Sequence, residues 1–223
     1  MLQFVNDHQL FNRPNRFLIG VDYGMQNDNR QRFNNNFGVR DTLNLSQIER
    51  VQSVGPFFRN EWNMLDKLDL VMGGRWDWLH YQVKDAFKTD GNQSGSRTVA
   101  QASGSIGLVY HLTEQQQIYT HVASVFEAPT TTELLNNPAG RGGFNPRLNA
   151  QTSLSNELGI RGNTAGFQYD TAVFFIRTWD EITPFELPSS PGRAFFRNAG
   201  QSRRLGVETR LATPEWKGLR GEV

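Results

Sequence analysis

In Gln101-Ala102-Ser103-Gly104-Ser105-Ile106-Gly107-Leu108-Val109-Tyr110-His111-Leu112, the apolar Ala102, Ile106, Leu108, Tyr110 and Leu112 fall on one side of an extended chain. Ser103, Ser105, Gly107 and His111 fall on the other. Side chains of a strand point alternately to its two faces, so this period of two argues for a β-strand with one greasy and one wet face. A polar break follows at Thr113-Glu114-Gln115, and extended sequence resumes at Ile118.

The same pattern spreads outward in both directions. In Thr152–Gly162, Leu154, Leu158 and Ile160 share one parity while Ser153, Ser155, Glu157 and Arg161 share the other. In Arg204–Leu211, Leu205, Val207 and Leu211 oppose Arg204, Glu208 and Arg210. Leu68–Trp78 sets Leu68, Leu70, Met72, Trp76 and Trp78 against Asp69, Arg75 and Asp77. Phe17, Ile19, Val21 and Tyr23 oppose Leu18, Gly20, Asp22 and Gly24, and Phe167, Tyr169, Val173 and Phe175 share a register.

Short turn-like clusters recur about every 50 residues, at Arg13-Pro14-Asn15, Asp66-Lys67, Thr113–Gln115, Gly162–Gly166 and Thr213–Gly218. Longer polar loops are expected midway, at about 25–50, 84–97, 127–151 and 182–202. That is the layout of antiparallel hairpins with a tight-turn end and a long-loop end, as in outer-membrane barrels. A soluble sandwich would also alternate. Two features favour the barrel: the polar face carries both charge signs with much Ser, Gly and Asn, and the hairpin repeat exceeds the spacing of compact sandwiches. The expectation is an all-β, antiparallel transmembrane β-barrel wall of about ten strands, with no helical domain. The Asn-rich stretch Gln26–Asn36 is expected to be a solvated loop.

Composition agrees. The 223 residues are 37% apolar and 12% aromatic, with a net charge of +1, and the mean hydropathy is -0.55. No apolar run approaches the roughly 20 residues of a membrane helix, whereas a barrel needs only alternate residues to face lipid. The balanced charge offers no footprint for nucleic acid. Cysteine is absent, which excludes disulfides and cysteine-based metal sites. The first residues do not form a secretory signal, and Leu219–Val223 reads as a strand just begun. Both lead to the expectation of a fragment, whose two open sheet edges would make independent folding unfavourable.

The most specific residues lie around the third long loop. A strand ending Val125-Phe126 runs into Glu127-Ala128-Pro129-Thr130-Thr131-Thr132-Glu133-Leu134, then Gly142-Gly143-Phe144-Asn145-Pro146-Arg147-Leu148, then a strand with Asn156-Glu157-Leu158-Gly159. Later come Asn198-Ala199-Gly200-Gln201-Ser202 and Gly206-Val207-Glu208. This ordered series resembles the β-barrel domain of TonB-dependent outer-membrane receptors. The likeness covers nearly the whole chain and is clearest over 98–213. The matching positions are Phe126, Pro129, Thr130, Glu133, Leu134, Asn145, Pro146, Leu148, Glu157, Gly159, Asn198, Gly200, Gly206 and Glu208. Their expected roles are structural. Pro129 lacks an N–H and ends ladder pairing, Asn145-Pro146 forms a turn, and Gly200 and Gly206 relieve crowding at a bend or bulge.

The resemblance implies a 22-stranded barrel with a plugged lumen, of which residues 1–223 would be a partial barrel domain without the plug. It implies energy-coupled uptake of a ferric siderophore or similar iron complex, in the outer membrane of a Gram-negative cell. The implied partners are that iron complex, outer-membrane lipid, and TonB, reached through an N-terminal region this chain lacks. No nucleic-acid partner and no cofactor are implied. An anionic, partly aromatic cargo calls for Arg and aromatic side chains at the outer mouth. The candidates are Arg141 and Arg147 in one loop, and Phe185, Arg193, Phe195, Phe196 and Arg197 in the next.

Haem receptors of the family carry a histidine between two boxes whose counterparts here are Phe126–Pro129 and Asn145–Leu148, and no histidine lies there. Haem is therefore disfavoured. His80, His111 and His121 read as wall residues without nearby acidic partners, and no metal site is expected. Trp62, Trp76, Trp78, Trp179 and Trp216 fit interface girdles. A soluble carbohydrate-binding protein would instead use them as stacking platforms, and a passive porin or other outer-membrane barrel is a further alternative. No nucleophile elbow, zinc-protease motif or phosphate loop is present, and Asp77, Asp85 and Asp90, which could form an acidic pair, read as lumen charges on strands and loops, so no enzyme is expected.

Overall fold

The computed structural model describes residues 1–140, 142–215 and 217–223. Nine strands form one antiparallel sheet: β1 (Leu2–Leu10), β2 (Arg13–Asn36), β3 (Val39–Leu65), β4 (Leu68–Asp85), β5 (Gly95–Thr113), β6 (Gln116–Glu127), β7 (Gln151–Thr164), β8 (Phe167–Trp179) and β11 (Gln201–Ala212). Each pairs with the next, and β8 pairs with β11 because β9 (Ile182–Leu187) and β10 (Ser190–Asn198) form a separate hairpin between them. A tenth partner begins at Glu222, bridged to Ala212, so the expected strand number holds.

Several boundaries differ from expectation. The first turn is Phe11-Asn12, not Arg13–Asn15, and both its residues have positive φ, 52° and 60°. Residues 25–50 are not a loop. The β2–β3 hairpin continues as paired strand to a tight turn at Phe37-Gly38, also with positive φ at both positions, the geometry that matches strand twist. Gln26–Asn36 is therefore strand. The expected loop at 182–202 holds the β9–β10 hairpin, and 127–151 holds the single-turn helix α1 (Thr131–Leu135).

The register bears out the alternation. Ile106, Leu108 and Tyr110 face the same side as their partners Met72, Leu70 and Leu68 on β4 and Val122, Thr120 and Ile118 on β6. The row continues through Leu158 and Ile160 to Val173, Phe175, Leu205 and Val207. These side chains are unusually exposed for their type: Ile106 52%, Leu158 58% and Leu205 75%. Trp62, Trp76, Trp78 and Trp179 share this face, Trp62 toward the short-turn end and the others toward the long-loop end. The girdle assignment of Trp216 lies outside the described residues.

Strand carboxylates take the opposite face, from Asp7 and Asp22 through Asp77 and Glu157 to Asp170 and Glu208. There Arg75 binds Asp22 (2.6 Å) and Asp77 (2.7 Å). His111, expected to lack an acidic neighbour, lies 2.8 Å from Asp69, and His121 lies opposite Glu157. Pairing across the ladder supplies these partners, which chain distance does not reveal. A cavity of about 650 Å³ touches Phe57, Val71, Arg75, Ser105, Tyr119 and Glu157, from five successive strands. A cavity reaching the same face of five strands requires that face to be concave. The hydrophobic cluster lies at the long-loop end, where Tyr81, Leu134 and Leu148 are buried among Val51, Leu79, Val99, Phe144, Ile182 and Phe196.

Candidate ligand-binding mouth

The loop between β6 and β7 turns back over the concave face and is anchored by the motif residues. β6 ends at Glu127, and Pro129 is fully buried two residues later. The sequence Thr130-Thr131-Thr132-Glu133 is a capping box. Glu133 N donates to Thr130 Oγ1 (3.3 Å), and Thr130 N donates to Glu133 Oε2 (2.7 Å). This starts α1 and aims Leu134 into the cluster, where it is 0% exposed.

Asn145 closes the loop. Its N–H donates to Leu134 O (2.6 Å), its Oδ1 accepts from Arg147 N (3.0 Å), and its Nδ2 donates to Phe196 O (3.4 Å). Arg97, reaching from β5, donates to Asn145 O and to Asn149 Oδ1. The turn expected at Asn145-Pro146 forms at Pro146-Arg147 with Asn145 as its cap. Next, Asn198 Oδ1 accepts from Asn149 N (2.7 Å), while its Nδ2 donates to Asn149 O (2.9 Å) and Asp180 O (2.7 Å). One side chain thus ties the β6–β7 loop to the β9–β10 hairpin. Gly200 takes φ 75° in the bend that follows.

The remaining motif residues lie elsewhere. Phe126 sits half-buried at the end of β6 opposite Thr152. Glu157, Gly159, Gly206 and Glu208 are on the concave face of the wall. At Gly206 the ladder has no bulge, contrary to one expected role; the crowding it relieves comes from the Phe174 ring directly opposite.

Of the cargo candidates, Arg141 lies outside the described residues. Arg147, Arg193 and Arg197 are exposed, whereas Phe195 is buried and Phe196 packs in the cluster. Phe185 and Phe195 pack with ring centroids 6.0 Å apart. Arg197 stands 5.1 Å over Phe185, and Arg193 stands 5.1 Å over Phe195. Arg193 also binds Asn136 Oδ1 at the end of α1. The two loops named in the sequence are therefore in contact; Arg193 and Arg197 flank an aromatic pair, and Arg147 is exposed on the neighbouring loop.

A second feature went unseen in the sequence. A cavity of about 770 Å³ lies between α1 and the inner side of β2–β4, lined by Asp28, Arg30, Glu49, Tyr81, Thr130 and Thr132. Arg30 Nη1 donates to both Glu49 Oε1 and Thr132 Oγ1, at 3.1 Å each. Gln47 donates to the same Glu49 oxygen (2.6 Å). Arg147, Arg193 and Arg197 do not line this cavity. Arg30 falls in a stretch without apolar alternation, so only the pairing of the long hairpin places it here. Among the described residues no group of three or more His, Asp or Glu could hold a metal. The mouth offers guanidinium, phenol and hydroxyl donors around partly covered aromatic rings, a chemistry suited to binding.

A family model described as TonB dependent receptor-like, beta-barrel, matches residues 2–222. Similar solved structures include the ferric citrate transporter FecA in its unliganded form (TM-score 0.75, 11% identity, 95% of this chain and 31% of that one). Others are the alcaligin outer membrane receptor FauA from Bordetella pertussis (0.67, 16%, 95% and 34%) and the ferric yersiniabactin uptake receptor FyuA from Yersinia pestis (0.62, 19%, 99% and 33%). The chain thus spans about a third of the length of these structures, and the likeness is one of fold.

Proposed function

The chain belongs to the TonB-dependent receptor β-barrel family, and from that premise we propose that it forms part of the wall and outer mouth of an outer-membrane receptor. Residues 1–223 supply part of the barrel domain. The cargo is a ferric siderophore or similar anionic iron complex, taken up with energy delivered through TonB. The observation that carries this reading is the mouth itself: Arg147, Arg193 and Arg197 exposed on two loops that Asn198 binds together. Guanidinium groups beside aromatic rings suit chelates rich in oxyanions and aryl groups.

The test is uptake of radioactive iron by cells carrying the receptor, under iron limitation. Arg193→Ala with Arg197→Ala is expected to lower uptake at unchanged surface level, and dissipating the inner-membrane proton gradient is expected to abolish it. Unaltered uptake in the double variant would remove these residues from the site. Uptake that persists without the gradient would point to a passive pore.

A further inference from the structure

The nine-stranded sheet separates its charges by face. Below the projecting tip of the β2–β3 hairpin, every described strand carboxylate points to the concave side. Below that tip, the convex face has no carboxylate on its strands among the described residues but does carry cations. One, Arg13, stands at the short-turn rim and is neutralised by Asp66. The others, Arg50, Lys84, Arg177 and Arg203, all stand toward the long-loop end, and among the described residues none has an ion-pair partner.

Two of these cations form a pair. Arg177 on β8 and Arg203 on β11 are directly opposed in the ladder, which places their Cβ atoms roughly 5 Å apart. Like charges so placed repel unless an anion lies between them. Two carboxylates follow directly on the end of β8: Asp180 makes no ion pair with either arginine among the described residues, and Glu181 is held by Arg204 on the other face. Arg177 stacks over the Trp179 ring (5.0 Å) and is steadied by Gln201 Oε1, to which its Nη2 donates (2.6 Å). Immediately below the pair sit Phe175 and Leu205, also opposed, then Val173 and Val207. An anionic head on the two guanidiniums would continue into an apolar strip of four side chains in two rows.

We propose that Arg177 and Arg203, flanked by Trp179, form a binding site for a phosphate-bearing lipid headgroup of the outer leaflet. The phosphate accepts from both guanidiniums, and its acyl chains run down over Phe175, Leu205, Val173 and Val207. Arginine suits this task because its planar fork pairs with two phosphate oxygens at once. Among the described residues the unpaired cations of this face stand at the long-loop rim, whereas Arg13 at the short-turn rim is held by Asp66, so the site faces one leaflet. This inference rests on the outer-membrane reading above, but it concerns the convex surface and not the cargo mouth.

The receptor containing this chain, purified folded in neutral detergent, is the material for the test. Native mass spectrometry would compare retention of bis-phosphorylated lipid A with that of its dephosphorylated form. The folded receptor is expected to retain the phosphorylated lipid preferentially. In Arg177→Gln/Arg203→Gln its affinity should fall about tenfold, in Arg177→Lys/Arg203→Lys most of it should persist, and Arg13→Gln should change nothing. Only species with the heat-modifiable gel mobility of a closed barrel are counted. Equal retention by the Gln pair overturns the site, and so does equal retention of the dephosphorylated lipid. If inorganic phosphate alone binds as well as the lipid, this is a free-anion site and the lipid assignment fails. A receptor that takes up no detergent or bilayer would instead refute the membrane reading itself.

Discussion

Gly159 lies directly across the ladder from Tyr119, and a Cβ on Gly159 would fall inside the tyrosine ring, 2.5 Å from its Oη. Three other cross-strand pairs repeat the arrangement: Gly20 with Phe57, Gly74 with Phe58, and Gly206 with Phe174. In each, an aromatic ring lies over the bare backbone of the neighbouring strand, filling the space a side chain would take and covering the ladder there. The Tyr119 ring is also tethered, its hydroxyl donating to Asp170 (3.1 Å), so it cannot swing away without losing that bond.

Gly159→Ala is therefore expected to destabilise the folded barrel by about 1–3 kcal/mol, the usual cost of overpacking. Combining it with Tyr119→Leu should recover part of the loss, because the shorter side chain vacates the space. Urea midpoints of the receptor in lipid vesicles would show this, and strictly additive losses would contradict the account.

Leu134 and Leu148 are both 0% exposed and belong to one cluster. Leu134→Ala is expected to cost about 2–5 kcal/mol, but locally, since the cluster anchors a loop and not the wall. Hydrogen exchange should quicken across 128–150 and at Asn145 N–H, while the β5–β6 ladder keeps its protection. Uniform loss of protection in both regions would mean the cluster supports the whole sheet.

Arg75 holds two carboxylates at once, Asp22 and Asp77, the latter only 14% exposed. Arg75→Gln would leave them facing each other without a cation. The expected cost is about 1–2 kcal/mol, larger than for an exposed pair. The deficit should shrink in molar salt, where unpaired charges are screened. Unfolding midpoints at low and high salt would check both statements.

Leu158 and Ser155 differ in the face they occupy on β7. Leu158→Arg is expected to cost about 2–4 kcal/mol if the convex face meets lipid near the bilayer midplane, whereas an Arg on the wet face should be tolerated. Yields of heat-modifiable receptor from Leu158→Arg and Ser155→Arg distinguish these outcomes. Equal yields would favour a soluble protein.

What the sequence determined by itself is everything written in a period of two or in a local motif. The wall strands follow from Ala102–Leu112, Leu154–Ile160 and Leu205–Leu211, because successive side chains point to opposite faces whatever the rest of the molecule does. The capping box at Thr130 and Glu133 is equally local, and it starts a helix within reach of its own side chains. Where both faces of a hairpin are polar, the pattern carries no such signal, and β2–β3 was legible as loop across 25–50 although it is paired strand. Tertiary structure alone decided the rest. Arg97 meets Asn145, Asn198 joins two loops, Arg30 bridges Glu49 and Thr132, and His111 finds Asp69, each across at least 19 residues of chain. These contacts depend on strand register and on the return of a loop over the concave face. Register is a collective property of pairing and burial, so neither composition nor spacing along the chain can specify it.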